Sequence, residues 1–170
     1  MNIKVGFFDR DGTIIKDYPD SMWSDINEPI FLLGSIQTLK EVQQKGYEII
    51  MITNQYIINE GFISFDQYLR INEKMCEYLS CNDVEILDIF YCPHGRNEGC
   101  KCIKPQPGMI KDAIMKYPSI KINESFMIGD SEVDIELAIS MKMQGFGLGI
   151  DSSHPKIKKL NNVNDLIQYI

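Results

Sequence analysis

Short apolar runs alternate along this chain with segments whose apolar positions recur at helical spacing. The run Val5-Gly6-Phe7-Phe8 reads as a buried strand. Residues 16–29 are polar and turn-rich, with Pro19, Trp23 and several carboxylates, and read as a long loop of the kind that is usually functional or mobile. Between residues 35 and 45, Ile36, Leu39 and Val42 keep helical spacing, and Gly46 is placed to end the helix. Residues 47–53 predict a second strand. A helix is predicted from Ser64 to about Leu79, with Ser64 as N-cap and Gln67 three residues on, the spacing of a capping box. A third strand is predicted at 86–91. After a cysteine-rich loop come a short helix at 107–117 with proline in its first turn and a fourth strand at 125–128. A helix at 132–143, a glycine-rich fifth strand at 144–150 and a terminal helix at 164–170 complete the pattern.

Continuous apolar strands alternating with helices predict an α/β fold, a doubly wound parallel sheet of about five strands. No repeat, low-complexity segment or composition break divides the chain, so one domain, 1–170, is expected. In such sheets ligands bind beyond the carboxyl ends of the strands. The strand tails carry Asp9 and Asp11, Thr53 and Asn54, the loop from Cys92 onward, and Asp130.

Composition narrows the partners. A net charge of −7 argues against a nucleic-acid or anionic-membrane surface, while leaving room for an anionic substrate held by a local metal or lysine. No apolar run approaches the roughly 20 residues of a membrane span, and the N-terminus lacks the pattern of a secretory signal. The expected compartment is the cytoplasm, where structural disulfides are rare, so the five cysteines need another explanation.

Asp9 and Asp11 leave the first strand one residue apart, and Gly12 allows a tight turn after them. Two crowded carboxylates repel, and a hard cation such as Mg2+ is the natural compensation. Lys104 offers a fixed positive charge, Thr53 a hydroxyl, Asn54 backbone donors, and Asp130 with Asp134 further acid. Together these suit metal-assisted chemistry on a phosphate. Each residue alone has a plainer reading: a solvated acid pair, a strand-ending threonine, a turn-capping asparagine, a surface lysine, an aspartate capping the next helix.

In order, Asp9-Arg10-Asp11-Gly12-Thr13, Thr53-Asn54, Lys104-Pro105 and Gly129-Asp130 with Asp134 four residues on resemble the four motifs of the haloacid-dehalogenase (HAD) superfamily of phosphohydrolases. The resemblance covers nearly the whole chain. It implies a Rossmann-like sheet, with Asp9 as nucleophile forming an aspartyl-phosphate and Asp11 as general acid and then base. It implies Mg2+ held by Asp9, the Asp11 main-chain carbonyl and Asp130, with Asp134 behind them. Thr53 and Lys104 would stabilise the phosphoryl group, and Asn54, Gln55, Ile103 and Lys104 would face the substrate.

Cys92, His94, Cys100 and Cys102 have the spacing C-x-H-x5-C-x-C, which fits a closed tetrahedral Zn2+ site of structural type. The other reading is a set of free or redox-active thiols. Cys76 and Cys81 read as ordinary buried or half-buried residues and His154 as surface. With Lys104-Pro105-Gln106-Pro107-Gly108-Met109, the loop resembles the capless HAD phosphatases of D-glycero-D-manno-heptose 1,7-bisphosphate; histidinol-phosphate phosphatases share the zinc pattern. Two places depart from those groups. Ile103 stands where they usually carry arginine, and Tyr56-Ile57-Ile58-Asn59-Glu60-Gly61 replaces a Ser-Gly-Ile…Arg-Gly run. Arg96 or Lys101 is the nearest substitute for the missing arginine. The expectation is a monomeric phosphatase of a small phosphorylated metabolite, a sugar bisphosphate first. Histidinol phosphate and another sugar or acid monophosphate come next, and an inactive ligand-binding relative is the non-enzymatic alternative.

Overall fold

The computed structural model describes residues 2–170. Six strands form one sheet: β1 (Lys4–Phe8), β2 (Tyr47–Asn54), β3 (Asp88–Cys92), β4 (Phe126–Gly129), β5 (Gln144–Leu148) and β6 (Ile157–Leu160). Their order is β3-β2-β1-β4-β5-β6, and every neighbouring pair is parallel. Four α-helices, α1 (Ser35–Gln44), α2 (Phe65–Ser80), α3 (Gly108–Lys116) and α4 (Glu132–Ser140), make the connections.

The strand pleat divides the core in two. Phe8, Ile49, Met51 and Ile128 point to the face covered by α1 and α2, through Leu39, Val42, Ile71 and Met75. Val5, Phe7, Ile50, Ile52 and Met127 point to the other, covered by Ile110 and Ala113 of α3 and by Leu137 and Ala138 of α4. Strands buried on both faces must be apolar at successive positions, which is why these read as continuous runs. No separate cap is present among the described residues, and no helix is long and apolar enough to cross a membrane.

Several expectations need correction. The sheet has six strands rather than about five. β6 is four residues long, Ile-Lys-Lys-Leu, with both lysines exposed at the sheet edge, too short to declare itself by periodicity. The last residues form a 3-10 turn, Val163–Gln168, rather than an α-helix. The third strand starts two residues later than predicted and ends at Cys92. The long loop contains a 3-10 turn, Asp20–Asp25, that drives Trp23 into the core at 2% exposure. Ser64 caps α2 as expected, its Oγ accepting from the Gln67 N–H. The Gln67 side chain, however, donates to the carbonyls of Trp23, Ser24 and Ile26 at 2.8, 3.2 and 3.0 Å, tying the long loop to α2. Cys81 is exposed, and His154 is half-buried, its Nδ1 accepting from the Lys156 N–H.

Candidate active site

β1 and β4 end side by side at the middle of the sheet, and the Asp9 N–H donates to the Ile128 carbonyl at 2.9 Å. The chain leaves both strands over a cleft of about 340 Å3, lined by Asp9, Asp11, Thr53, Asn54, Ile103, Lys104, Asp130 and Asp134. Of the residues predicted for the reaction, only Gln55 is missing from the wall. It is fully buried behind it, donating to Asp11 Oδ2 at 2.7 Å and to Thr53 Oγ1 at 2.8 Å. Gln55 therefore holds two wall residues in place instead of facing a substrate.

Lys104 is buried, and its ammonium donates to Asp9 Oδ1 at 2.6 Å and to Asp134 Oδ1 at 2.7 Å. Burial alone would depress its pKa, but Asp134 and Asp9 outweigh that and hold it above the usual lysine range. Asp134 also closes a capping box at the start of α4. Ser131 Oγ accepts from the Val133 N–H, and Asp134 Oδ2 accepts from the Ser131 N–H. Ser131, and not Asp130, is thus the helix cap. Asp130 is free to turn its carboxylate toward Asp9.

Oxygens of Asp9, Asp130 and Asp134 lie within 4.8 Å of one another. Burial, then the charges of Asp9 and Asp134, pushes the Asp130 carboxyl up to about 8. Three converging carboxylates against one ammonium leave the site short of positive charge, which suits a hard cation. Two glycines make the crowding sterically feasible. A Cβ on Gly12, whose φ is +85°, would meet the Asp130 carboxylate, and a Cβ on Gly129 would meet that of Asp134.

Arg10 is a residue that sequence reading passed over. It is 1% exposed, and its Nε and Nη2 donate to the two Asp11 oxygens at 2.8 and 3.0 Å. Nη1 donates to Asn72 Oδ1 at 2.6 Å, and the guanidinium lies beside Tyr68 and Trp23. Its position between two acids was the one available signal.

Beyond the acids, the cleft is walled by Asp17, Asp20 and Trp23 of the long loop, by Tyr56 and Ile57 after β2, and by Arg96 of the cysteine loop. Burial, then a hydrogen bond to Asp20, pushes the Tyr56 phenol up to about 12, so it remains a donor. Lys101, the other proposed stand-in for the missing arginine, does not line the cleft.

Cys92, His94, Cys100 and Cys102 bring their Sγ and Nδ1 atoms within 4.8 Å of one another. Cys92 Sγ lies 2.8 Å from Cys102 Sγ and 3.4 Å from His94 Nδ1. Burial raises the Cys92 thiol, with a further push from its thiol neighbour Cys102. Burial opposes ionisation at Cys100 too, but N–H donation from Ile103 helps bring it down to about 7. Such a donor set, with all its cysteines free, fits a tetrahedral metal ion.

Residues 4–146 match the family described as polynucleotide kinase 3 phosphatase. The chain is 37% identical over 147 residues to D-glycero-beta-D-manno-heptose-1,7-bisphosphate 7-phosphatase of Haemophilus influenzae, covering 83% of this chain and 78% of that one. It is 34% identical over 150 residues to the histidine biosynthesis bifunctional protein HisB of Campylobacter jejuni, covering 88% of this chain and 42% of that one. The crystal structure of D,D-heptose 1.7-bisphosphate phosphatase from B. bronchiseptica, complexed with magnesium and phosphate, superposes with a TM-score of 0.85 at 23% identity, covering 98% and 97% of the two chains. With its motifs at the ends of a parallel sheet and its sequence matched over most of its length, this chain belongs to the polynucleotide kinase 3 phosphatase family of HAD-type phosphatases.

Proposed function

We propose that this chain is a magnesium-dependent phosphatase that releases phosphate from a phosphorylated sugar through a phosphoryl–Asp9 intermediate. The observation that carries the reading is the meeting of Asp9, Lys104 and Asp134, beside Asp130, at the carboxyl edge of the sheet. The names of its relatives make D-glycero-D-manno-heptose 1,7-bisphosphate the first candidate substrate. Histidinol phosphate is second, on the similarity to HisB.

Asp9, Asp130 and the Asp11 main-chain carbonyl would hold Mg2+, with Asp134 behind them; the oxygen donors suit it. The ion supplies neutralisation of the phosphoryl oxygens. An Asp9 oxygen attacks phosphorus, and the bond from phosphorus to the sugar oxygen breaks. Asp11 gives that oxygen a proton. Water then attacks the phosphoryl group, Asp11 takes up its proton, the bond to Asp9 breaks, and phosphate leaves. For either transfer, an Asp11 oxygen must be released, Oδ1 from Arg10 or Oδ2 from both Arg10 and Gln55. Lys104 offsets charge as it passes from Asp9 to the phosphoryl oxygens. Thr53 Oγ1 accepts from Gln55, which leaves its own proton to donate forward.

Cys92, His94, Cys100 and Cys102 would hold a structural Zn2+ that fixes the loop ahead of Lys104. Free thiols throughout suit a reducing cytoplasm. The test is Asp9→Asn, which should reduce release of phosphate from sugar phosphates to background. Hydrolysis that survives this change with magnesium present would remove Asp9 as the nucleophile.

A further inference from the structure

At the rim of the cleft, four side chains from three segments form one network, of which Asp20, Tyr56 and Arg96 line the cleft itself. Arg96 donates from Nε to Glu60 Oε1 at 3.0 Å, and from Nη2 to Glu60 Oε2 at 2.5 Å and Asp20 Oδ2 at 3.1 Å. Its backbone N–H also donates to Glu60 Oε1 at 2.9 Å. The guanidinium carbon lies 4.2 Å from the Tyr56 ring centroid, and the Tyr56 hydroxyl donates to Asp20 Oδ1 at 3.0 Å. Arginine, glutamate, aspartate and tyrosine thus fix one another before any ligand arrives. Arg96 Nη1, with its two N–H groups, makes no hydrogen bond among the described residues. Ile103, which lines the same cleft, has no charge to offer.

The charge of this rim decides what it can read. One guanidinium between two carboxylates leaves the network net negative, and Asp17 adds a further acid to the cleft lining. A second phosphate dianion placed here would meet Asp20 and Asp17 as well as an Arg96 already paired with Glu60, and like charges at such range repel. Hydroxyl groups meet no such opposition. They can accept from Nη1 and donate to the carboxylates, so both kinds of partner on the rim are used.

We infer that Arg96 is a specificity-determining residue, held by Glu60, Asp20 and Tyr56 to grip the hydroxyls of the substrate's distal end, so that a second phosphate there brings no advantage. The inference rests on the phosphatase reading above and, within it, moves phosphorylated sugars or polyols with a neutral non-reacting end ahead of the bisphosphate.

The experiment compares three esters under saturating magnesium: D-glycero-D-manno-heptose 7-phosphate, the 1,7-bisphosphate, and phenyl phosphate, which has no distal hydroxyls. For the unaltered protein, kcat/KM for the two heptose esters should agree within about tenfold, since the rim gains little from the extra charge. In Arg96→Ala, kcat/KM for heptose 7-phosphate relative to phenyl phosphate should fall by about tenfold or more, mainly through KM, the range for losing a charged hydrogen bond. Glu60→Gln removes one of the opposing charges and should shift the ratio of the heptose esters toward the bisphosphate. An unchanged melting temperature keeps each comparison within folded protein. A preference for the bisphosphate of more than about tenfold that vanishes in Arg96→Ala would show that Arg96 reads the second phosphate, overturning the inference. So would an unchanged ratio to phenyl phosphate in Arg96→Ala. If the unaltered protein hydrolyses none of the three, the phosphatase reading fails and takes this inference with it.

Discussion

The Asn54 side chain grips the peptide of Lys104 from both sides: Oδ1 accepts from the Lys104 N–H at 2.7 Å, and Nδ2 donates to the Lys104 carbonyl at 3.3 Å. The end of β2 thereby sets where the buried ammonium stands, far away in sequence. Asn54→Ala should leave Lys104 charged but displaced. Misplacement of a reacting group by about an ångström costs on the order of 10²-fold, so a loss of that order in kcat/KM is expected with the fold retained by circular dichroism. Activity close to that of the unaltered protein would show that Lys104 is positioned by other contacts.

Asp11 is the proposed proton carrier, and its worth depends on the leaving group. Asp11→Asn should slow release of an alkyl or sugar alcohol by roughly 10²–10⁴-fold, the usual span for general acid catalysis. A nitrophenolate leaves without a proton, so the first step should suffer far less with nitrophenyl phosphate. Equal losses with both esters, measured by burst kinetics, would remove Asp11 as the acid.

The four-ligand cluster leads to a metal count. Purified protein should carry about one zinc per chain, as one closed site requires. Cys100→Ser should lower both the zinc content and the melting temperature. Stripping zinc with a chelator should also lower hydrolysis under saturating magnesium, because Cys102 lies two residues before Lys104. Full zinc content and unaltered melting in Cys100→Ser would dismiss a structural site.

Gly12 combines a left-handed backbone with direct apposition to Asp130. Gly12→Ala should cost about 1–2 kcal/mol from backbone strain alone, visible in chemical denaturation. The displaced Asp130 should also raise the magnesium concentration needed for half-maximal rate. An unchanged magnesium requirement would mean that Asp130 can move aside without consequence.

Much of this was legible in the sequence because strand tails in a parallel sheet converge by topology. Once the apolar runs are read as buried strands, Asp9, Thr53, Asn54 and Asp130 fall on one edge. Local patterns also located α1 and the Ser64 cap. What stayed hidden depends on contacts between distant segments. Nothing near Gln55 says that its amide turns inward to Asp11, and nothing near Arg96 says that it meets Asp20 and Glu60. Trp23, in a stretch of polar residues, is carried into the core by a 3-10 turn whose carbonyls are fastened to α2. The edge strand β6 was missed because a four-residue run with two lysines at its centre has too little pattern to distinguish it from a loop.

That fastening has a bearing on how such a chain can change over generations. Asp9, Asp11 and Asp130 follow the central strands β1 and β4, where each shift would be felt through the core. Asp17, Asp20 and Trp23 ride on a segment tied to α2 through the Gln67 amide and Lys74, and to the rim through Asp20. The mouth of the cleft can therefore be rewritten by substitutions in one outlying span while the inherited machinery beneath it is left alone. New substrates in this lineage would enter through that span.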